Sequence, residues 1–96
     1  MMNLLIVYDI DTSTEKGKKT LNKVASKCEG VGIRVQNSVF ECEICADVYR
    51  ETKKYLESVI NLSTDSIRIY KIGKNYKRKL ETIGVQNRII TDTYVF

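Results

Sequence analysis

The order of apolar and polar residues along the chain predicts a strand followed by a helix near the N-terminus. Residues 3 to 10 are apolar almost without alternation, which is typical of a strand buried on both faces. Apolar or small residues then recur at helical spacing, at Leu21, Val24, Ala25 and Cys28. Thr12 and Glu15 have the spacing of a capping box, and Gly30 and Gly32 follow the periodic segment. A first helix is therefore predicted between these two signals.

The second half of the chain predicts two short strands, a helix and a further strand. Residues 33 to 44 alternate with period two, and Asn37 and Ser38 stand where the two strands would turn. A second helix is predicted from about residue 47 to residue 60, and its packed face would hold Val48, Thr52, Tyr55, Leu56 and Val59. Residues 66 to 73 follow as a fourth strand. This β-α-β-β-α-β order is that of the ferredoxin-like fold, an antiparallel sheet with both helices on one face.

The fold class is therefore α+β, with one ferredoxin-like domain over residues 1–96, because no proline, repeat or low-complexity stretch divides the chain. A single layer of helices leaves one sheet face open, whereas residues 3 to 10 are apolar on both faces. The apolar tail "RIITDTYVF" predicts a fifth strand at about residues 85–96, which would pack on a partner subunit. Both features predict a two-fold symmetric homodimer.

The net charge of +4 is unevenly distributed along the chain. Residues 68 to 79, "RIYKIGKNYKRK", hold six cations and no anion. The predicted first helix also carries lysines on the side away from its apolar face, at Lys16, Lys19, Lys23 and Lys27. Such patches attract polyanions, and their affinity for phosphate falls with salt. They predict a nucleic-acid-binding surface, with an ordinary solvated surface as the plain alternative.

Several functional classes are disfavoured by what the sequence lacks. The longest apolar stretch is far short of the roughly 20 residues that cross a bilayer, and the N-terminus has no signal-peptide cleavage site. We therefore expect a cytoplasmic protein without membrane contacts. Three cysteines and no histidine suit neither a disulfide framework nor a zinc site. Because Glu41 and Glu43 flank Cys42, a redox role is disfavoured, and all three cysteines are predicted to be buried and unreactive.

Two carboxylates, Asp9 and Asp11, stand where the first strand is predicted to end. An acid at this position is either a solvent-exposed residue at the end of a strand or a functional residue that the strand positions in an active or binding site. Asp11, two residues farther on in the predicted loop, suits a turn residue better than a site residue. The residues by themselves leave these alternatives open.

Four segments of the chain carry a resemblance to a known family. They are "YD" at the end of the first strand, "KVASKC" in the first helix, "GIRVQNSVFEC", and "DSIRIYKIGKNY". In this order and spacing they resemble the CRISPR-associated protein 2 family, and within it most closely the branch found with type I-C systems. Thr20 and Asn22 depart from the family, whose members often have arginines in this helix.

The resemblance implies a homodimer in which Asp9 meets its symmetry mate, binds Mg²⁺ or Mn²⁺, and is the catalytic residue. Magnesium usually takes one or two carboxylates with waters and substrate phosphate, so two Asp9 side chains would suit it. Tyr8, Arg34 and Phe40 fall on positions that family members use near the site. Contacts to nucleic acid without sequence preference are expected from the basic residues Lys16, Lys18, Lys19, Lys23, Lys74, Lys77, Arg78 and Lys79.

Three functions are considered, of which the resemblance implies the first two and the third is independent of any CRISPR locus. The first is a subunit of CRISPR adaptation with metal-dependent endonuclease activity on RNA or double-stranded DNA. The second is a non-catalytic scaffold that binds spacer DNA between copies of the CRISPR integrase subunit. The third is a toxin-like ribonuclease of the same fold. A regulatory module for a small ligand is disfavoured because the chain has no glycine-rich phosphate loop and has a strongly basic segment.

Overall fold

A computed structural model describes residues 1–86. Its elements are β1 Met2–Asp9, α1 Glu15–Val31, β2 Gly32–Gln36, β3 Val39–Ile44, α2 Ala46–Val59, β4 Ser66–Ile72 and the short α3 Tyr76–Lys79. The strands form one four-stranded sheet in the order β2-β3-β1-β4, and all three pairings are antiparallel. The predicted ferredoxin-like order is confirmed. Most of the predicted fifth strand falls at residues 87–96, outside the described residues.

The helices pack on one face of the sheet and enclose the core there. Alternate residues of β1 point toward the helices, so Leu4, Ile6 and Tyr8 are buried. In register with them on β3, Phe40 lies opposite Ile6, and Cys42 lies opposite Leu4. The helices add buried side chains at Val24, Cys28, Thr52 and Leu56. No helix within residues 1–86 is long and apolar enough to cross a bilayer.

The other face of the sheet is not covered by a helix. Leu5 and Val7 of β1 point to this open face and are only half-buried in the single chain. A single chain therefore leaves this face open, as expected for one layer of helices, and the burial of β1 on both sides stays a prediction that depends on a second copy. The homodimer that this pattern suggested stays a prediction.

Helix α1 begins two residues later than the capping-box spacing suggested. Its N-cap is Thr14, whose hydroxyl oxygen accepts the backbone N–H of Gly17 at 3.0 Å. The predicted cap, Thr12, is instead an exposed loop residue. The reason is the preceding turn, in which the Asp11 carboxylate accepts the backbone N–H of Ser13 at 2.9 Å and so delays the helix start.

Helix α2 follows its prediction except at one aromatic position. Tyr55 was predicted to be buried, but it is exposed beside α1, with the ammonium of Lys27 5.5 Å from its ring centroid. Tyr49, six residues earlier, packs against the core instead. Its ring is approached by the ammonium of Lys71 at 5.3 Å. The helical periodicity predicted this helix correctly, but the predicted packed face is wider than the observed one because it included Tyr55.

The three cysteines do not share one environment. Cys28 and Cys42 are buried as predicted, and loss of solvation raises the pKa of Cys28 to about 12 and that of Cys42 to about 11. Both are therefore protonated thiols at neutral pH. Cys45 is exposed, so the prediction is wrong for this residue. It follows the buried Ile44 at the end of β3, where strand alternation turns the next side chain outward.

Candidate functional site

Asp9 is the last residue of β1, where its side chain is exposed. It lies opposite Ser66 of β4 in the sheet register. Strand alternation places it on the open face with Leu5 and Val7, while its neighbour Tyr8 points into the core and is only 5% exposed. The two residues of the "YD" motif therefore point to opposite faces of the sheet.

Tyr8 is the centre of a cluster on the core face. Its ring stacks on Phe40 with centroids 6.1 Å apart, and its hydroxyl donates to the carbonyl of Asn37 at 3.3 Å. The guanidinium carbon of Arg34 lies 5.1 Å from the Phe40 centroid, and Nη2 of Arg34 lies 3.6 Å from Oε2 of Glu29. Burial raises the pKa of Tyr8, and the Arg34 charge partly opposes that shift. The three residues predicted near the site therefore lie together, across the sheet from Asp9 within one chain.

Asp65 joins the two loops beside the Asp9 end of the sheet. Its carboxylate accepts the backbone N–H of Asp11 at 2.9 Å and that of Asn61 at 2.8 Å. It also accepts the hydroxyl of Thr64 at 3.1 Å. Partial burial raises the pKa of Asp65, but these hydrogen bonds outweigh burial and hold it below its usual value. The sequence interpretation missed this residue, whose only signal was its position at the start of "DSIRIY".

Asp11 has a local role in the same loop. The backbone N–H of Ser13 donates to its carboxylate and lowers the pKa of Asp11. This arrangement is that of a turn residue, which was one of the two alternatives left open by the sequence. The loop after Asp9 is therefore fixed at two points, by the Asp11 carboxylate and by Asp65.

The lysines of α1 fall into two environments. Lys16, Lys19 and Lys23 line a groove of about 690 Å³ between α1 and the loop that follows α2. Lys18 instead forms an ion pair with Glu15, with Nζ 3.3 Å from Oε1. None of the ion pairs found among residues 1–86 involves the three groove lysines. Asp11 and Asp65 also line the groove, so its three lysines leave it with a small excess of positive charge for an anionic ligand.

The departure from the family at Thr20 has a structural explanation. Thr20 is buried, and its hydroxyl donates to the backbone carbonyl of Lys16 at 3.1 Å. Its side chain therefore lies on the packed side of α1, although it borders the groove. Asn22 is exposed on the same helix.

The second basic set lies at the other end of β4. Tyr76 starts α3, and its hydroxyl donates to Oε1 of Glu41 at 3.1 Å, which fixes α3 to β3. The cations of this set are all exposed and comprise Lys74, Lys77, Arg78 and Lys79. Ile72 at the end of β4 lies opposite Asn3, six strand residues from Asp9, or about 20 Å along β1. One chain therefore does not bring this set to the Asp9 carboxylate.

The donors available in one chain fit a metal ion only in part. No group of three or more histidine, cysteine, aspartate or glutamate residues within residues 1–86 is arranged to hold one. The Asp9 carboxylate is exposed and accepts no hydrogen bond from the part of the chain that the structure describes. A single accessible carboxylate suits Mg²⁺, which keeps waters and binds substrate phosphate. One chain contributes one Asp9 carboxylate to such a site.

Comparison with known proteins places the chain in a family. The family model described as CRISPR associated protein Cas2 matches residues 2–80. The chain is 46% identical over 96 residues to the CRISPR-associated endonuclease Cas2 of Halalkalibacterium halodurans, covering 99% of this chain and 100% of that protein. It is 42% identical over 91 residues to the CRISPR-associated endoribonuclease Cas2 1 of Moorella thermoacetica, covering 95% of each.

Solved structures give the same result. The crystal structure of Streptococcus pyogenes Cas2 at pH 6.5 superimposes with a TM-score of 0.78 and 46% sequence identity. That match covers 86% of this chain and 100% of the other. The resemblance found in the four sequence segments is confirmed at the level of the family, while the type I-C branch stays a prediction. The chain belongs to the CRISPR-associated protein Cas2 family.

Proposed function

We propose that this protein is a subunit of CRISPR adaptation and that its homodimer is a metal-dependent endonuclease acting on RNA or double-stranded DNA. Relatives that it matches over nearly their whole length are named endonuclease and endoribonuclease. The observation that carries the proposal is the position of Asp9. This acid is exposed at the end of β1, on the sheet face that the helices leave open.

A second copy of the chain would cover this open face of the sheet. Leu5 and Val7 are half-buried there, and burying apolar area contributes about 25 cal/mol per Å². A two-fold axis through the face would repeat each contact and bring Asp9 toward the Asp9 of the second copy. In this proposal the domain spans residues 1–96, and the segment at about 85–96 completes the dimer.

Two Asp9 carboxylates would then hold Mg²⁺ or Mn²⁺. When bound, such an ion polarises the scissile phosphate and lowers the pKa of the attacking water. The remaining task of the chain is to fix the carboxylates in place. The backbone N–H of Tyr8 donates to the carbonyl of Ser38 at 3.1 Å, and the Tyr8 ring is packed on Phe40. The residue before Asp9 is therefore held by its backbone and its side chain.

The test of this proposal measures mass and metal dependence on the same preparation. Light scattering should give about twice the 11.0 kDa chain mass at micromolar concentration. Cleavage of a duplex DNA and of an RNA should stop on chelation and return with Mg²⁺ or Mn²⁺. Calcium should restore much less, because its coordination is looser and it polarises phosphate more weakly. A stable monomer that cleaves without added metal would refute the proposal.

A scaffold function for the same dimer has separate support. The groove lysines and the set at residues 74–79 carry the charge expected of a duplex-binding surface, and the second set lies about 20 Å along β1 from Asp9. Duplex DNA held on these surfaces could be presented to the CRISPR integrase subunit without use of the Asp9 site. We propose this scaffold function beside cleavage and, should Asp9 prove inert, in its place.

The two basic surfaces predict a common effect on duplex binding. Replacing Lys77, Arg78 and Lys79 together by alanine should remove three phosphate contacts. The slope of log affinity against log salt should then fall by about 0.9 per contact on B-DNA. The effect should be equal on unrelated sequences, because phosphate contacts carry no base information. A triple replacement in the groove, at Lys16, Lys19 and Lys23, should act in the same way.

The matched control replaces three exposed cations of α2, at Arg50, Lys53 and Lys54. These have the same total charge but lie outside both proposed surfaces, and Arg50 is paired with Asp47. The salt slope should change little in this variant. If all three triple variants lose the same affinity, only net charge matters and the proposed surfaces are wrong. A loss confined to one base sequence would also contradict backbone binding.

A further inference from the structure

Arg68 lies beside Asp9 on the open face, although the sequence interpretation assigned it no role. In the register of β1 and β4, Arg68 is opposite Val7, and Ser66 is opposite Asp9. Arg68 and Asp9 are therefore diagonal neighbours on adjacent strands. Such neighbours are about 7–8 Å apart, within reach of long side chains. Arg68 is also exposed.

The guanidinium of Arg68 keeps most of its donors free. One nitrogen, Nη1, donates to the hydroxyl of Tyr70 at 2.9 Å. Unlike Arg34 and Arg50, which pair with Glu29 and Asp47, Arg68 enters none of the ion pairs found among residues 1–86. A guanidinium has five N–H donors in a planar fork that matches phosphate oxygens. This contact occupies one donor without neutralising the charge, and because Tyr70 is opposite Leu5 it lies on the side of Arg68 away from Asp9.

Arg68 also does not pair with Asp9, although the two are neighbours. In the single chain, the open face consequently presents an exposed carboxylate and an exposed cation on adjacent strands. A phosphodiester can bind beside two such groups, since its non-bridging oxygens accept from a guanidinium. An ion pair between Arg68 and Asp9 would instead have neutralised both groups.

We propose that Arg68 binds the scissile phosphate and positions it against the Asp9 site. The inference rests on the proposed endonuclease function. In hydrolysis the oxygen of water forms a bond to phosphorus, one phosphorus–oxygen ester bond breaks, and the leaving oxygen takes the proton that water gives up. Charge grows on the non-bridging oxygens during this step. The Arg68 donors that Tyr70 leaves free would stabilise that charge once the side chain turns toward Asp9.

The test compares Arg68→Ala and Arg68→Lys with wild type and with Asp9→Asn in the full chain. Arg68→Ala should lower kcat for a duplex substrate by about 100-fold, which is typical for loss of one donor to a developing oxyanion. Arg68→Lys should be intermediate, because lysine keeps the charge and loses the bidentate geometry. The control, Arg50→Ala, removes an arginine on α2 and should leave kcat unchanged.

A second readout separates this inference from the endonuclease proposal. The salt slope of duplex affinity should fall by about 0.9 in Arg68→Ala, as expected for one lost phosphate contact, even where no cleavage is measured. If Asp9→Asn cleaves like wild type, the endonuclease proposal fails, and the slope still decides whether Arg68 contacts phosphate. If Asp9→Asn is inactive while Arg68→Ala keeps wild-type kcat, the Arg68 inference is overturned.

The oligomeric state of Arg68→Ala is a further test of the inference. Arg68→Ala should keep the mass of the wild-type protein under the same conditions. Dissociation of this variant into monomers would show that Arg68 pairs with an acid of a second copy, such as Glu41 or Glu43, and would overturn the inference. The same mass measurement on Arg50→Ala provides the reference.

Discussion

Replacing Asp9 by asparagine is expected to abolish cleavage while the fold and the dimer remain. The side chain is exposed and accepts no hydrogen bond within residues 1–86, so the free energy of unfolding should change by less than about 0.5 kcal/mol. Asparagine keeps the shape but loses the charge that a divalent ion requires. Losing several kcal/mol of transition-state stabilisation corresponds to a fall in kcat of about a thousandfold. Duplex affinity should be unchanged or slightly tighter, because one negative charge is removed.

Asp11→Asn is the matched control for this experiment. It makes the same chemical change two residues away, and the asparagine oxygen can still accept the backbone N–H of Ser13. Cleavage by this variant should stay close to wild type. If Asp11→Asn and Asp9→Asn are equally inactive, the loss of cleavage is not specific to the Asp9 carboxylate. Wild-type cleavage by Asp9→Asn, in a preparation free of other nucleases, would leave the non-catalytic scaffold as the better account.

Mixed dimers test whether the two Asp9 carboxylates share one site. Co-expression of two differently tagged chains, one carrying Asp9→Asn, allows the heterodimer to be isolated. A shared site should lose nearly all cleavage in this heterodimer, because only one carboxylate remains to bind the ion. Independent sites would instead keep about half of the wild-type rate, and this result would contradict the symmetric arrangement.

The sequence predicted the order of the elements because each of them has a local pattern. The helical spacing from Leu21 to Cys28 and the period-two alternation from residue 33 to residue 44 are visible without knowledge of the fold. Asp9 could be proposed as a site residue because it ends an apolar strand and because the segments around it resemble a known family. These signals lie within short stretches of the chain.

The sequence could not predict which face of the sheet each site residue occupies. Because both faces of β1 are apolar, the alternation that separates Tyr8 from Asp9 was hidden until the helices were placed. Arg68 was missed for a related reason, since its position next to Asp9 depends on the register between β1 and β4. Tyr55 was misplaced because the packed face of α2 depends on where α1 lies, and this is a tertiary property.

Gly17 is another position whose importance only the packing reveals, and Gly17→Ala is expected to destabilise the protein strongly. A Cβ atom at this position would lie 1.9 Å from the carbonyl oxygen of Asp11 and 3.3 Å from the Cα of Thr12. Both contacts are with backbone, so no side chain can rotate to relieve them. The loop also resists movement, because the N–H of Asp11 is bonded to the Asp65 carboxylate at 2.9 Å.

We expect Gly17→Ala to lower the free energy of unfolding by about 3 kcal/mol, at the upper end of the usual cost of overpacking. The control is Gly30→Ala, also in α1, where a new Cβ would meet no atom within 4 Å. That change should stabilise by about 0.5–1 kcal/mol through helix propensity. Urea unfolding measures both values, and in a domain of this size 1 kcal/mol corresponds to about 4–8 °C in Tm. Equal stability of the two variants would show that the β1–α1 loop yields easily, and the fixed placement of the Asp9 end of β1 would then be wrong.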